Sequence, residues 1–595
     1  MYSQFETGDT KMGTYDKHNT RLLQKSNFIR GLVLPLQKQK MVYSIPEESK
    51  KLLQTAILDN DKLNIPSSIK RWADKVKFEG TGVPMIPINW RFAESISSLK
   101  GYEALVLLEL LDKKYNDDSQ TITINTDHAQ LFIMSAVICS FKTESGDIPA
   151  ITPSYFKTLS EVFSVKDSSE SLNPYNVSVT NIYKTKDNKF YHLHGSMDAS
   201  VTQKAIGLGS ESPIESKDFD DIWPIYQKRI SELNADELDD LINNQYGQAG
   251  TICYTSEEFK KTEHYKANAH VDLFETHHID DATSASWWSQ GGSVERPLEG
   301  LKVLDITRVI AAPTIGRTLA ELGATVLRVT SPNLPDLHIL NPDMNGNKYN
   351  CSLDFKNPDD LKKLHELIEE ADVVIEGYRP YHLDKYGLGK DNLLAAAKKR
   401  GRGIVYIREN CYGWNGPWSG RTGWQQISDA CCGVSWKFGQ SVGVEEPITP
   451  VFPNSDFCTG TAGAIAVMQA LIEKSQKGGS YVIDCALNYY SQWLVDKVGT
   501  YSDNMWKDLW ENSGKPSPRY YYMMPRLLPM YLGALRKNAP SMWNPNFFEL
   551  RPIAGTDTQF KTIKSVHQFD GKTKPGFDIP VRGNGRDPAE WPASS

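Results

Sequence analysis

The chain has 595 residues, 66 of them basic and 73 acidic, for a net charge of −7. That length exceeds one ordinary core and points to about two to four domains. The acidic balance excludes a general attraction to nucleic acid or to an anionic membrane. No stretch approaches the ~18 apolar residues of a membrane span. The first 20 residues have neither an apolar core nor an Arg-rich, acid-free composition, so a cytoplasmic protein is expected. The eight cysteines show no CxxC spacing, which implies reduced thiols and no metal site. Fourteen Trp and 27 Tyr provide aromatic area enough to pack around a bulky ligand.

Residues 1–45 are polar and read as a loose arm. A helical pattern follows in SIPEESKKLLQTAIL and SSIKRWADKVKF, and the Pro-rich VPMIPINW is an extended lead-in. The segment FAESISSLKGYEALVLLELLDKKY reads as a long apolar helix, with the strand TITIN after it. Further on, VTNIYKTKDNKFYHLHG reads as a hairpin, and two acidic helices follow it. His277 and His278 are adjacent and point to opposite faces of a strand, which disfavours a shared metal. The Ser-Gly-rich stretch 284–297 is a linker candidate, with Trp287 and Trp288 docked onto a neighbour.

From residue 300 to 410, Val/Ile-rich strands alternate with helices. This is the pattern of a parallel, doubly wound sheet, which binds ligands at the carboxyl ends of its strands. The first turn reads TRVIAAPTIG and lacks the Gly-x-Gly-x-x-Gly of a dinucleotide site, and there is no GxxxxGK[ST] loop.

The block 450–487 holds one carboxylate, Asp456, ahead of a small-residue run that includes Gly460 and Gly463. An apolar helical pattern, a Gly-Gly turn and a strand over 481–486 follow. An aspartate there is first of all an N-cap. The positive end of a helix also favours an ionised carboxylate, and glycines let amide donors approach a ligand. Together these can make a carboxylate nucleophile with oxyanion donors beside it. The block also has an internal echo. Glu94 lies seven residues before Gly101, as Asp456 lies seven before Gly463, and a helix, turn and strand follow each.

The segment GLKVLDITRVIAAPTIGRTLAELGATVLRV resembles the opening of the class III CoA-transferases, the CaiB/BaiF family that includes formyl-CoA transferase and α-methylacyl-CoA racemase. The resemblance continues through GNKYNCSLDFKNPDDLKKLHELIEEADVVIEGYRPYHLDKYGLGKDNL, YGWNGPWSGRTGWQQISDACCGV and the Asp456 block, roughly residues 297–490. It departs at Ala312-Pro313, where the family has Gly-Pro. The resemblance implies a Rossmann-like large α/β domain with a smaller α+β domain, and Asp456 as the catalytic carboxylate. It also implies that Arg308, Lys348, Arg379 and Lys385 meet the CoA phosphates, which suits their chemistry. Trp424 and Gln425 are expected to line the acyl pocket, and Gly460 and Gly463 to donate to the oxyanion. Trp424 stands where the racemase branch has its histidine, and indole exchanges no proton at neutral pH.

The implied activity is transfer of CoA from an acyl-CoA to a small carboxylic acid through a covalent aspartyl intermediate. CoA esters serve as substrates, and no cofactor is tightly bound. The alternatives are a degenerate CoA-ester-binding protein, or a racemase or isomerase of the same family. The order of segments departs from the family and reads as a fused, partly deleted double copy. Its expected parts are an arm (1–45), a partial first copy with the Glu94 helix (46–176) and a small α+β domain (177–290). A nucleotide-binding and catalytic region (291–500) and a shortened return segment (501–595) complete it. Assembly is then as a homodimer or as an intramolecular pseudo-dimer.

Overall fold

The computed structural model describes residues 43–163, 173–288 and 291–593, so the expected arm lies almost wholly outside the described residues. The chain becomes helical at Ile45–Leu52. The expected second helix is cut short. Ser67–Lys70 is one turn, and Val76–Glu79 becomes strand β1. Its partner explains the switch: β1 pairs in parallel with β2 (Ile122–Asn125), and tertiary pairing overrides local helical periodicity. Between them runs the 24-residue helix Phe92–Tyr115, buried continuously from Phe92 to Leu111. Gly101 lets this helix press on β1, since a Cβ there would stand 2.6 Å from the Phe78 ring.

A short hairpin, β3 (Ser140–Thr143) and β4 (Gly146–Pro149), follows. The second expected hairpin is present as β5 (Asn181–Lys184) and β6 (Phe190–His194), turning through Asn188 at φ 60°. Strand β7 (Ala249–Ile252) joins β6 antiparallel, and Phe219–Ile230 packs its apolar face onto this small sheet. The small sheet ends there. Residues 274–279 form β8 (Phe274–Ile279), which belongs to the main sheet, so the expected 177–290 unit is two different things.

The main sheet contains β9 (Lys302–Ile306), β10 (Thr325–Thr330), β11 (Lys348–Ser352), β12 (Val373–Glu376), β13 (Val405–Asn410) and β14 (Ser480–Ala486). Their order is β11-β10-β9-β12-β13-β14-β8, all parallel except β8. All residues of β12 and β14 are buried, as helices on both faces require. The order reverses between β9 and β12, which opens a crevice at their carboxyl ends. The helices Ala311–Glu321 and Phe92–Tyr115 both pack against a third, Asn454–Lys477.

The return segment does not stand apart. Strands β15 (Phe548–Pro552) and β16 (Gln559–Ile563) extend the β3-β4 sheet, and β17 (His567–Phe569) pairs with β2. Residues 46–176 and 501–595 thus share two sheets, and Tyr43–Ser595 forms one compact unit.

Candidate active site

A cavity of about 350 Å³ opens over the carboxyl ends of β9, β12 and β13, at the point where the strand order reverses. The turns after β9 and β12 bring Arg308 and Val309 to one wall, and Tyr378 and Arg379 to another. The loop after β6 roofs it with Ser196, Met197 and Asp198. Val309 holds φ at 77°, a costly conformation for a β-branched residue and one that concentrates at functional turns.

Asp456 lies on the cavity wall, 9% exposed, in the first turn of Asn454–Lys477. Pro453 caps that helix without a side-chain bond, so the Asp456 carboxylate is free of capping duty. Burial raises its pKa well above the usual carboxylate value, and the neighbouring Asp429 raises it further. Asp429 is itself pushed up to about 7 by burial, although Ser455 and Gln425 donate hydrogen bonds to it.

Of the four basic residues expected at the CoA phosphates, Arg308 and Arg379 lie on this cavity. Arg308 donates to the Pro335 carbonyl at 2.8 Å and stacks over Tyr378 at 4.9 Å. The Arg379 side chain has no hydrogen-bonded or ion-paired partner among the described residues, while its carbonyl accepts from the His382 amide at 3.0 Å. Burial and the nearby Arg308 lower its pKa, as expected for two cations awaiting an anion. Trp424 is also on the wall, stacked on His194 at 4.8 Å and donating to Ser196 Oγ at 3.3 Å.

The other expected residues are elsewhere. Lys348, the first residue of β11, is fully buried and bonded to Asp305 and to the Pro313 carbonyl, each at 2.7 Å, so it cannot meet a phosphate. Lys385 is exposed beyond the mouth and stacks over Tyr386. Gln425 turns away from the cavity to hold Asp429. Gly460 and Gly463 are interior to a continuous helix, so their N–H groups serve the helix and not an oxyanion. Their role is close packing. A Cβ at Gly460 would stand 2.5 Å from the Ala311 carbonyl oxygen, and one at Gly463 would stand 2.8 Å from Ile315. The free donors at the cavity belong instead to the N-terminus of Ala311–Glu321, which has no side-chain cap.

Glu94, the echo of Asp456, is fully buried and taken up by Tyr43, by Tyr501 at 3.1 Å and by Arg91 at 3.6 Å. The Glu94 and Asp456 helices share length and cap geometry. Each has 24 residues with the carboxylate third, and their caps share backbone angles of −76° and 60° (Arg91) and −76° and 53° (Pro453). His277 approaches Asp484 at 3.5 Å while His278 reaches the Gly478 carbonyl, but both Asp484 oxygens are bonded to Arg408.

Sequence reasoning missed Glu409, which lines the cavity with Asp456. The signal was there: in GIVYIREN, Val405 and Ile407 mark the core phase, and Glu409 falls in it. It also missed the roof at Ser196 and Asp198, and Arg421, which lines the cavity while paired with Asp239 at 2.9 Å.

Comparison with known proteins decides the family. The sequence family described as CoA-transferase family III matches residues 298–519. The acetyl-coenzyme A transferase nodX of Hypoxylon pulicicidum is 42% identical over 562 residues, covering 92% of this chain and 94% of that protein. The chain belongs to CoA-transferase family III. An acyl-CoA transferase of Gibberella moniliformis is 31% identical over 76% of this chain and 80% of that protein. The human succinyl-CoA:glutarate CoA-transferase is 33% identical to this CoA-transferase, but over only 32% of the chain and 45% of the human protein. No helix among the described residues of the transferase is long and apolar enough to cross a membrane.

Proposed function

We propose that this family III CoA-transferase moves CoA from an acyl-CoA to a small carboxylic acid through covalent intermediates on Asp456. The observation that carries this reading is a buried carboxylate facing a cavity whose mouth holds an unpartnered arginine. Arg379 and Arg308 bind the CoA phosphates, and the thioester reaches inward. Asp456 attacks the acyl carbon, and the CoA sulfur departs to leave a mixed anhydride. The CoA sulfur then attacks the aspartyl carbonyl, giving an aspartyl-CoA thioester and a free carboxylate. The acceptor acid repeats the sequence in reverse. Amides at the start of Ala311–Glu321 offer the oxyanion donors, at about 3 kcal/mol for a well-placed one. The raised Asp456 pKa makes a more basic carboxylate, and turnover rises with pH as it ionises.

The name of the Hypoxylon relative makes acetyl-CoA the first donor to test. The test is transfer of labelled acetyl-CoA to a panel of small carboxylates; formation of new CoA esters supports the reading. Arg379→Ala is expected to raise KM for the CoA ester about tenfold and to leave kcat within about threefold, as loss of one charge-assisted contact predicts. An unchanged KM removes Arg379 from the CoA site.

The chain is, in the same reading, a fused double copy that keeps one working site. The paired 24-residue helices support it, as does the partial match to the human protein. Glu94 is closed off by its own partners, so one acyl group per chain is the expected stoichiometry.

A further inference from the structure

Asp456 is not the sole carboxylate on the cavity wall. Ile407 touches the Asn454–Lys477 helix, its Cδ1 standing 3.2 Å from where a Gly463 Cβ would be. Glu409 lies two residues further along β13 on the same face, about 6.6 Å on. Asp456 lies seven residues nearer the start of the helix, about 10.5 Å on. The helix turns back directly into β14, which is parallel to β13, so both displacements run towards the cavity. Arg408 points the other way, into Asp484 at 2.6 Å and over Trp414. Glu409 Oε1 is shielded from solvent and has no hydrogen-bond partner. The titratable groups around Glu409 are Asp456 from the helix, Cys485 from β14 and Cys411 from the following loop; Asp429 stands behind Asp456. Burial and the Asp456 charge push the Glu409 pKa well up. No described cation is paired with it.

We infer that Glu409 is a second catalytic residue, a carboxylic acid that protonates the CoA sulfur as it leaves and takes the proton back when the sulfur returns. This rests on the Asp456 reading. As the Asp456 oxygen bonds to the acyl carbon, the C–S bond breaks and its electron pair stays on sulfur. The Glu409 proton passes to that sulfur and leaves a carboxylate. When the thiol attacks the aspartyl carbonyl of the anhydride, the proton returns to Glu409. The trapped CoA is thereby held as a thiol, and the proton never leaves the cavity.

The experiment is the pH–rate profile of Glu409→Gln beside the intact enzyme, with acetyl-CoA as donor. The intact enzyme is expected to show an alkaline decline as Glu409 ionises. The variant is expected to fold with a thermal midpoint no lower than that of the intact enzyme, lose about 10²-fold in kcat and lose the alkaline decline. A kcat within about threefold, or a lower kcat with an unchanged profile, overturns the inference, since a positioning role leaves the profile intact. If the variant fails to fold, the intact enzyme still decides. Thiol release in a single turnover is expected to slow about twofold in D2O, and no slowing overturns the proposal. An acyl adduct on Asp456 in the intact enzyme separates the two claims. Its presence with an unaltered variant removes only Glu409; its absence removes the Asp456 reading and this inference with it.

Discussion

Asp456→Asn is expected to lower turnover by at least about 10³-fold, because an amide keeps the shape of the carboxylate but cannot form an anhydride. The same substitution is expected to raise stability at neutral and alkaline pH. The folded-state pKa of Asp456 is raised above its unfolded value, so the folded chain binds the proton more tightly. That preference stabilises the fold fully below the unfolded pKa near 4, and is lost as pH rises through the folded value. Asparagine carries no such loss. The thermal midpoint of the variant should exceed that of the intact enzyme at pH 8, and the gap should narrow towards pH 4. A variant that keeps full transfer activity would falsify the assignment of the nucleophile.

Lys348→Met carries the largest expected cost in stability. Lys348 and Asp305 form an ion pair with both side chains fully buried, closed by the Pro313 carbonyl and the Thr307 hydroxyl. Removing the cation leaves a buried carboxylate without a counter-charge, at a cost of about 3–5 kcal/mol. The urea midpoint should fall accordingly, while KM for CoA esters stays unchanged wherever the variant is folded. Adding Asp305→Leu should recover much of the loss, since apolar residues replace buried ion pairs well. A variant of normal stability with a raised KM would return Lys348 to the CoA site.

The main sheet and the position of Asp456 on the cavity were legible because their signals are local. Val/Ile-rich strands alternating with amphipathic helices specify a parallel sheet, and a single carboxylate before a small-residue helix marks Asp456. What failed was anything set by a distant partner. Lys348 carries the same charge whether it meets a phosphate or Asp305, 43 residues earlier in the chain, and burial decides between them. Gly460 and Gly463 look alike as oxyanion donors and as sites of helix contact, and only the approach of Ala311 and Ile315 tells them apart. The resemblance implies the pocket for both Trp424 and Gln425, yet successive residues of a helix start face different ways. The VKFE strand β1 and the β2–β17 pairing rest on parallel and long-range ladders, which no window of sequence contains.

The central claim is a covalent bond to one carboxylate. Its most direct test is intact-protein mass spectrometry of the enzyme mixed with acetyl-CoA and related acyl-CoAs, then hydroxylamine trapping and peptide mapping. The expected result is one labile acyl or CoA adduct per chain and a hydroxamate at Asp456. Turnover without any adduct, or a hydroxamate at Glu94 or Glu409 with Asp456 unmodified, would contradict the account.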